Sequence, residues 1–164
     1  MEQLKKGLAS FSLYNIAFTV SNLNDSIKWY QDVFGFTVEN HTVFTLREAS
    51  PGVAIMHGGG TRIEMLQVPG GRKIEEMFAD SPLHLIPIGN KSIVFQVDDL
   101  AIASQELQQK GVEFVWRELY LAGDKMFCSM IKDIDGNKIN IVQSNTIFGN
   151  SHLGSAKSKG TNCI

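Results

Sequence analysis

At 164 residues the chain is long enough to bury one substantial core, and its 43% hydrophobic and 20% charged residues are the balance of an ordinary globular protein. A net charge of -2 gives no support to a nucleic-acid partner, which normally needs a basic face, and no apolar run approaches the roughly 20 residues of a membrane-spanning helix. The opening Met1-Glu-Gln-Leu-Lys-Lys6 lacks the apolar core of a signal peptide, so the expected location is the cytoplasm, with no membrane partner.

Residues 1–12 are expected to form an N-terminal extension. From Asn15 to Val20 the apolar Ile16, Phe18 and Val20 alternate with Asn15, Ala17 and Thr19, the period of a half-buried strand with two distinct faces. A helix then covers the apolar face: Asn24 or Asp25 caps it, Ile27, Tyr30, Val33 and Phe34 recur at helical spacing, and Gly35 ends it. Strands are expected at Val38–Leu46, Gly52–His57 and Arg62–Val68, separated by Ser-Pro-Gly and Gly-Gly-Gly turns. Pro69–Asn90 is a long connector with a short helix around Ile74–Phe78; it serves either as a cover over a ligand cavity or as a plain crossover. The same order then returns. After a strand from Ser92 to Val97, Asp98 or Asp99 caps a helix running to about Lys110, Gly111 stops it, and strands follow at Val112–Arg117, Lys125–Lys132 and Lys138–Gln143. Asp133-Ile-Asp-Gly-Asn137 supplies the last hairpin turn. Asn145–Ile164, rich in Ser, Gly, Asn and Lys without periodicity, reads as a disordered tail. Cys128 lies in an apolar stretch and reads as a buried thiol; with Cys163 near the chain end, two cysteines make no disulfide framework.

The repetition is literal in places. Asn15-Ile-Ala-Phe-Thr-Val20 returns as Ser92-Ile-Val-Phe-Gln-Val97, and Thr61-Arg-Ile-Glu-Met-Leu-Gln67 returns as Asn137-Lys-Ile-Asn-Ile-Val-Gln143, 76 to 77 residues later. Phe34-Gly35-Phe36 corresponds to Lys110-Gly111-Val112 and Gly60 to Gly136. A repeat of this length outranks local propensity as evidence of architecture.

Two strand-helix-three-strand units, opening on Ile-Ala-Phe-Thr-Val-Ser-Asn-Leu before Ile-Lys-Trp-Tyr-Gln-Asp-Val-Phe-Gly-Phe and closing on Asp-Ile-Asp-Gly-Asn-Lys-Ile-Asn-Ile-Val-Gln, resemble the vicinal oxygen chelate superfamily. That group includes glyoxalase I, extradiol dioxygenases, methylmalonyl-CoA epimerase and the fosfomycin and bleomycin resistance proteins. The resemblance covers Leu13–Gln143 and implies an α+β fold: two tandem βαβββ modules, 13–68 and 91–143 joined by 69–90, forming cupped mixed sheets around a central cavity. One domain over 13–143 is expected, as is a homodimer.

The resemblance also assigns site positions. The metal-binding members place one ligand on the first and one on the last strand of each module, which fall here on Asn15, Glu64, Ser92 and Asn140. Strand alternation supports this placement: if Ile16, Ile63, Ile93 and Ile139 take the helix-covered face, those four take the opposite one, and so face into the cup. Such a set is poor chemistry for zinc, nickel or iron, since it holds one carboxylate among three neutral, weakly coordinating side chains. His41, His57 and His84 occupy no ligand position. No metal and no cofactor are therefore expected. His57 is kept as a ligand-binding candidate against the alternative of a surface or satisfied histidine.

The quartet does suit a polar floor in an apolar small-molecule pocket. A Glu64 buried without a cation would have a raised pKa and could move a proton; the alternative is a Glu64 that is paired with Arg62 or a lysine, or reaches solvent, and only orients a ligand. Aromatic and Met side chains at Phe44, Met56, Trp116, Phe127 and Met130 line the cup or belong to the core, while Trp29 and Tyr30 on the first helix are structural or interfacial. Two functions stay open: metal-independent isomerase, cyclase or lyase chemistry with Glu64 as catalytic acid or base and Asn15, Ser92, Asn140 and His57 as ligand-binding residues, or sequestration of a small molecule in the manner of bleomycin resistance proteins. The latter favour an acidic cleft, to which a pI near 6.1 lends weak support. A third and less favoured reading, a metal-dependent lyase of the glyoxalase type, stands only with a further, unforeseen ligand that completes the site.

Overall fold

The computed structural model describes residues 7–45, 47–121 and 126–144. The expected tail from Asn145, with Cys163, lies outside these, as do Met1–Lys6, Leu46 and Lys125 at the edges of expected elements. The described chain is α+β, with two copies of one module, each a four-stranded mixed sheet with a helix on it. It divides into two compact units: Met1–Lys91 together with Asp133–Asn137, and Ser92–Lys132 together with Lys138–Ile164.

In the first unit the strands are β1 (Ile16–Thr19), β2 (Thr37–Val43), β3 (Gly52–Gly58) and β4 (Thr61–Gln67), in the order β1-β4-β3-β2. β1 runs parallel to β4, with Ile16 beside Ile63 and Ala17 beside Glu64; the other pairings are antiparallel hairpins. Helix α1 (Leu23–Phe34) buries Leu23, Ile27, Tyr30 and Val33 over Ala54, Met56, Ile63 and Met65, all of which are fully enclosed or nearly so. The cap lies two residues before Asn24 and three before Asp25, the expected caps. Asn22, extended at φ -137°, accepts from the backbone N–H groups of Asn24 and Asp25 at 3.0 and 3.2 Å, so the cap is Asn22 and the helix takes in the apolar Leu23. Gly35 closes it at φ 70°, a left-handed conformation that a Cβ would strain.

The connector holds a single helical turn, α2 (Glu75–Phe78), close to where the sequence placed it, and a 3-10 turn at Leu83–Leu85.

In the second unit β5 (Ile93–Val97), β6 (Glu113–Leu121), β7 (Met126–Lys132) and β8 (Lys138–Gln143) repeat the order as β5-β8-β7-β6. Helix α3 (Leu100–Gln109) is capped by Asp99, whose carboxylate accepts from Ile102 N–H at 3.0 Å. It lays Leu100, Ser104 and Leu107 over the face that carries Ile131, Ile139 and Ile141. β6 runs four residues past the expected end at Arg117: a register shift between Trp116 and Leu119, with Glu118 at φ 53°, absorbs the irregularity and lets pairing with β7 resume.

Candidate functional site: two polar pairs on the open sheet faces

Parallel pairing puts partnered residues on the same sheet face. Ala17 beside Glu64 and Val94 beside Asn140 therefore fix the faces of both sheets: Asn15, Glu64, Ser92 and Asn140 all lie opposite the helix-covered isoleucines. Within each unit the first and last strands bring two of these side chains together. In the first, Asn15 Nδ2 donates to Glu64 Oε2 at 2.7 Å; in the second, Asn140 Nδ2 donates to Ser92 Oγ at 3.2 Å. All four residues are half-buried.

The surroundings of Glu64 remove one alternative. Arg62, two residues away on the same face, is turned to Glu39, with Nε to Oε2 at 2.6 Å and Nη2 to Oε1 at 3.2 Å. That hydrogen bond and charge hold Glu39 below the usual carboxylate range. Glu64 thus has no ion pair among the described residues, and the Asn15 amide is its one hydrogen-bond partner there. His57 shares the face but is exposed and stands opposite Arg62, beside the Arg62–Glu39 pair. No hydrogen bond joins His57 to Glu64.

Along the second sheet, Val94, Asn140, Met130 and Trp116 form one cross-strand row. Asn140 Oδ1 is buried there and accepts no hydrogen bond among the described residues, an energetically costly state for an amide oxygen. Trp116 and Met130 thus share the face of Asn140, whereas Met56 pairs with Ile63 under α1 and belongs to the core. Phe127 stacks on Tyr120 at 4.5 Å, and Phe44 is partly exposed beyond the end of β2. Tyr30 is fully buried and structural. Burial raises the Cys128 thiol pKa, which keeps it protonated and unreactive.

Residues 12–141 match the family model of the Glyoxalase/Bleomycin resistance protein/Dioxygenase superfamily. The chain belongs to this superfamily. Among solved structures, members of similar fold include a glyoxalase family protein from Bacillus cereus, 17% identical with a TM-score of 0.63 over 84% of this chain and 98% of its own. The fosfomycin resistance protein FosX from Mesorhizobium loti is 15% identical, with a TM-score of 0.53 over 80% and 90%. The trypanothione-dependent glyoxalase I of Leishmania major is 18% identical, with a TM-score of 0.58 over 82% and 87%. At these identities the likeness is one of fold. No curated protein matches the chain in sequence.

Among the described residues, no three His, Cys, Asp or Glu side chains group where they could hold a metal ion. Sequence reasoning missed one polar cluster. It read Asp133–Asn137 as a turn only, yet Asp135 is buried, and Asp133 binds Tyr30 as well as its own turn. The signal was present: two aspartates in one tight turn, where one suffices to close it.

Proposed function

We propose that the chain binds a small organic molecule on its open sheet faces and acts on it without a catalytic transition metal, Glu64 serving as the proton-transferring group. The observation that carries this reading is the Asn15–Glu64 pair: a half-buried carboxylate held at 2.7 Å by a neutral amide, while the nearby Arg62 is engaged by Glu39. An amide N–H orients a carboxylate without neutralising it and leaves the second oxygen to take a proton. For a β,γ-unsaturated carbonyl compound, Glu64 would accept the acidic α-proton, the C–H electron pair passing into a dienolate, and return it at the γ-carbon as the double bond moves into conjugation. The balance is an isomerisation. The Ser92–Asn140 pair offers a hydroxyl and an amide, and the unpartnered Asn140 Oδ1 asks for a ligand donor.

The residues do not fit a catalytic transition metal. Asn15 presents its N–H rather than a lone pair to Glu64, and Ser92 and Asn140 engage each other as neutral groups, so neither pair supplies the imidazole or multiple carboxylates such ions require. Elemental analysis of the purified protein is expected to find zinc, nickel and iron well below stoichiometry; a stoichiometric metal would overturn the reading. For the chemistry, wild type is expected to accelerate deuterium exchange at the acidic carbon of a cyclic 1,3-diketone, and Glu64→Gln to abolish the acceleration while still binding the probe. Equal exchange by both proteins would refute catalysis by Glu64. The sequestration reading rests on the second pair, which contains no ionisable group; binding of such probes without any exchange in wild type would establish it.

A further inference from the structure

A cavity of about 530 Å³ in the first unit shares no residue with the Asn15–Glu64 pair. It opens between the end of β1, the connector around α2 and the Asp133–Asn137 turn. Its walls are apolar, with Phe18, Val20, Met77 and Phe78 among them. Asp135 forms part of its lining and is only 5% exposed. One carboxylate oxygen, Oδ2, accepts from the backbone N–H of Ser21 at 2.9 Å. The other has no hydrogen-bond donor, and no cation pairs with the carboxylate among the described residues. Beside it, Asn137 spends its amide N–H on Asp133 at 2.8 Å, which leaves its carbonyl oxygen as a second acceptor. The exposed Arg72 and Lys73 stand at the mouth, Lys73 Nζ lying 5.4 Å from the centre of the Phe78 ring.

A nearly buried carboxylate without a counter-ion is expensive, and a bound cation is the natural remedy. The volume is that of a small-molecule site. Acceptors inside and cations outside are the complement of a molecule carrying an ammonium at one end and an anion at the other. We infer that this cavity binds a small zwitterion of the α-amino-acid class with an apolar side chain, its ammonium on Asp135 and Asn137, its carboxylate at Arg72 and Lys73, and its side chain between Phe18 and Phe78. The site is independent of the chemistry at Glu64.

Titration of the full-length protein with L-phenylalanine, phenethylamine and 3-phenylpropionate tests it. Phenylalanine is expected to bind tightest, phenethylamine next, and 3-phenylpropionate at least about tenfold more weakly than the amine, since a tenfold ratio is the least a single lost charge contact should show. In wild type, nuclear magnetic resonance is expected to show the amide signals of Ser21 and Asp135 moving with saturation. Asp135→Asn, which keeps an acceptor for Ser21 N–H but removes the charge, is expected to weaken both amines about tenfold or more. Arg72→Ala with Lys73→Ala, both exposed, is expected to erase the advantage of phenylalanine while leaving phenethylamine within about twofold. No saturable binding of either amine, 3-phenylpropionate binding as tightly as phenethylamine, or signals moving only away from Ser21 and Asp135 would each overturn the proposal.

Discussion

Tyr30 is fully enclosed, and its hydroxyl donates to Asp133 Oδ2 at 3.1 Å. Burial first, then the charge of Asp133, raises the phenol pKa far above its ordinary value. The unfolded chain therefore releases the Tyr30 proton first, near the ordinary pKa of about 10. The stabilising contribution is complete below that pH and declines above it, by at most about 1.4 kcal/mol per pH unit. Tyr30→Phe is expected to cost about 1–2 kcal/mol at neutral pH, because it removes a donor from a buried carboxylate. It is also expected to flatten the alkaline fall in stability, as denaturant unfolding between pH 8 and 11 will show. Asp133 carries the same sign in the acid range. Burial raises its pKa despite bonds from Asn137, Asp135 and Tyr30, so its contribution is full below the ordinary carboxylate value and is lost as pH rises through its folded pKa.

At the scale of elements, the duplication explains itself through helix starts. Gln67 Oε1 accepts from Leu23 N–H at 2.8 Å, and Gln143 Oε1 accepts from Leu100 N–H at 3.1 Å. The glutamine that ends each repeated last-strand motif is thus an acceptor for an orphan donor in the first turn of that module's helix. Gln67→Ala is expected to cost about 1 kcal/mol, and Gln67→Glu, which keeps an acceptor and adds charge at a helix N-terminus, distinctly less; thermal melts of the two variants separate these outcomes. The succession of elements along the chain, the helix-stopping Gly35 and Gly111, and the facing of Asn15, Glu64, Ser92 and Asn140 were legible because periods of two and of 3.6 residues are written directly in the chain. The Asn22 cap was legible too, had Asn22 been set against Asp99 at the repeat offset of 77 residues. Other features were not. The register shift between Val38 and Asn40 recurs between Phe114 and Trp116, yet no residue type recurs at equivalent positions of the two sites: bulges answer to cross-strand packing, which no local pattern encodes. Likewise the choice of Glu39 over Glu64 by Arg62 depends on where that bulge turns Glu39.

For the whole molecule, the decisive segment is the β7–β8 turn. Its strands belong to the second unit, while Asp133–Asn137 belong to the first, where Asp133 takes the Tyr30 hydroxyl and Asp135 takes Ser21 N–H. Asp133 also closes its own turn, Oδ1 accepting from the N–H groups of Asp135 and Asn137 at 2.9 and 2.8 Å. Within the first unit, one side chain therefore closes a tight turn and satisfies a core tyrosine. Loss of such a group leaves several buried donors unpaired at once, a cost of about 3 kcal/mol or more. Asp133→Ala is expected to lower the stability of the first unit, because the Tyr30 hydroxyl and the turn's own amides lose their acceptor together. Hydrogen exchange checks this directly. Amides of α1 should lose protection in the variant, since the helix carries Tyr30; unchanged protection across α1 would mean that Asp133 does not hold the first unit's core.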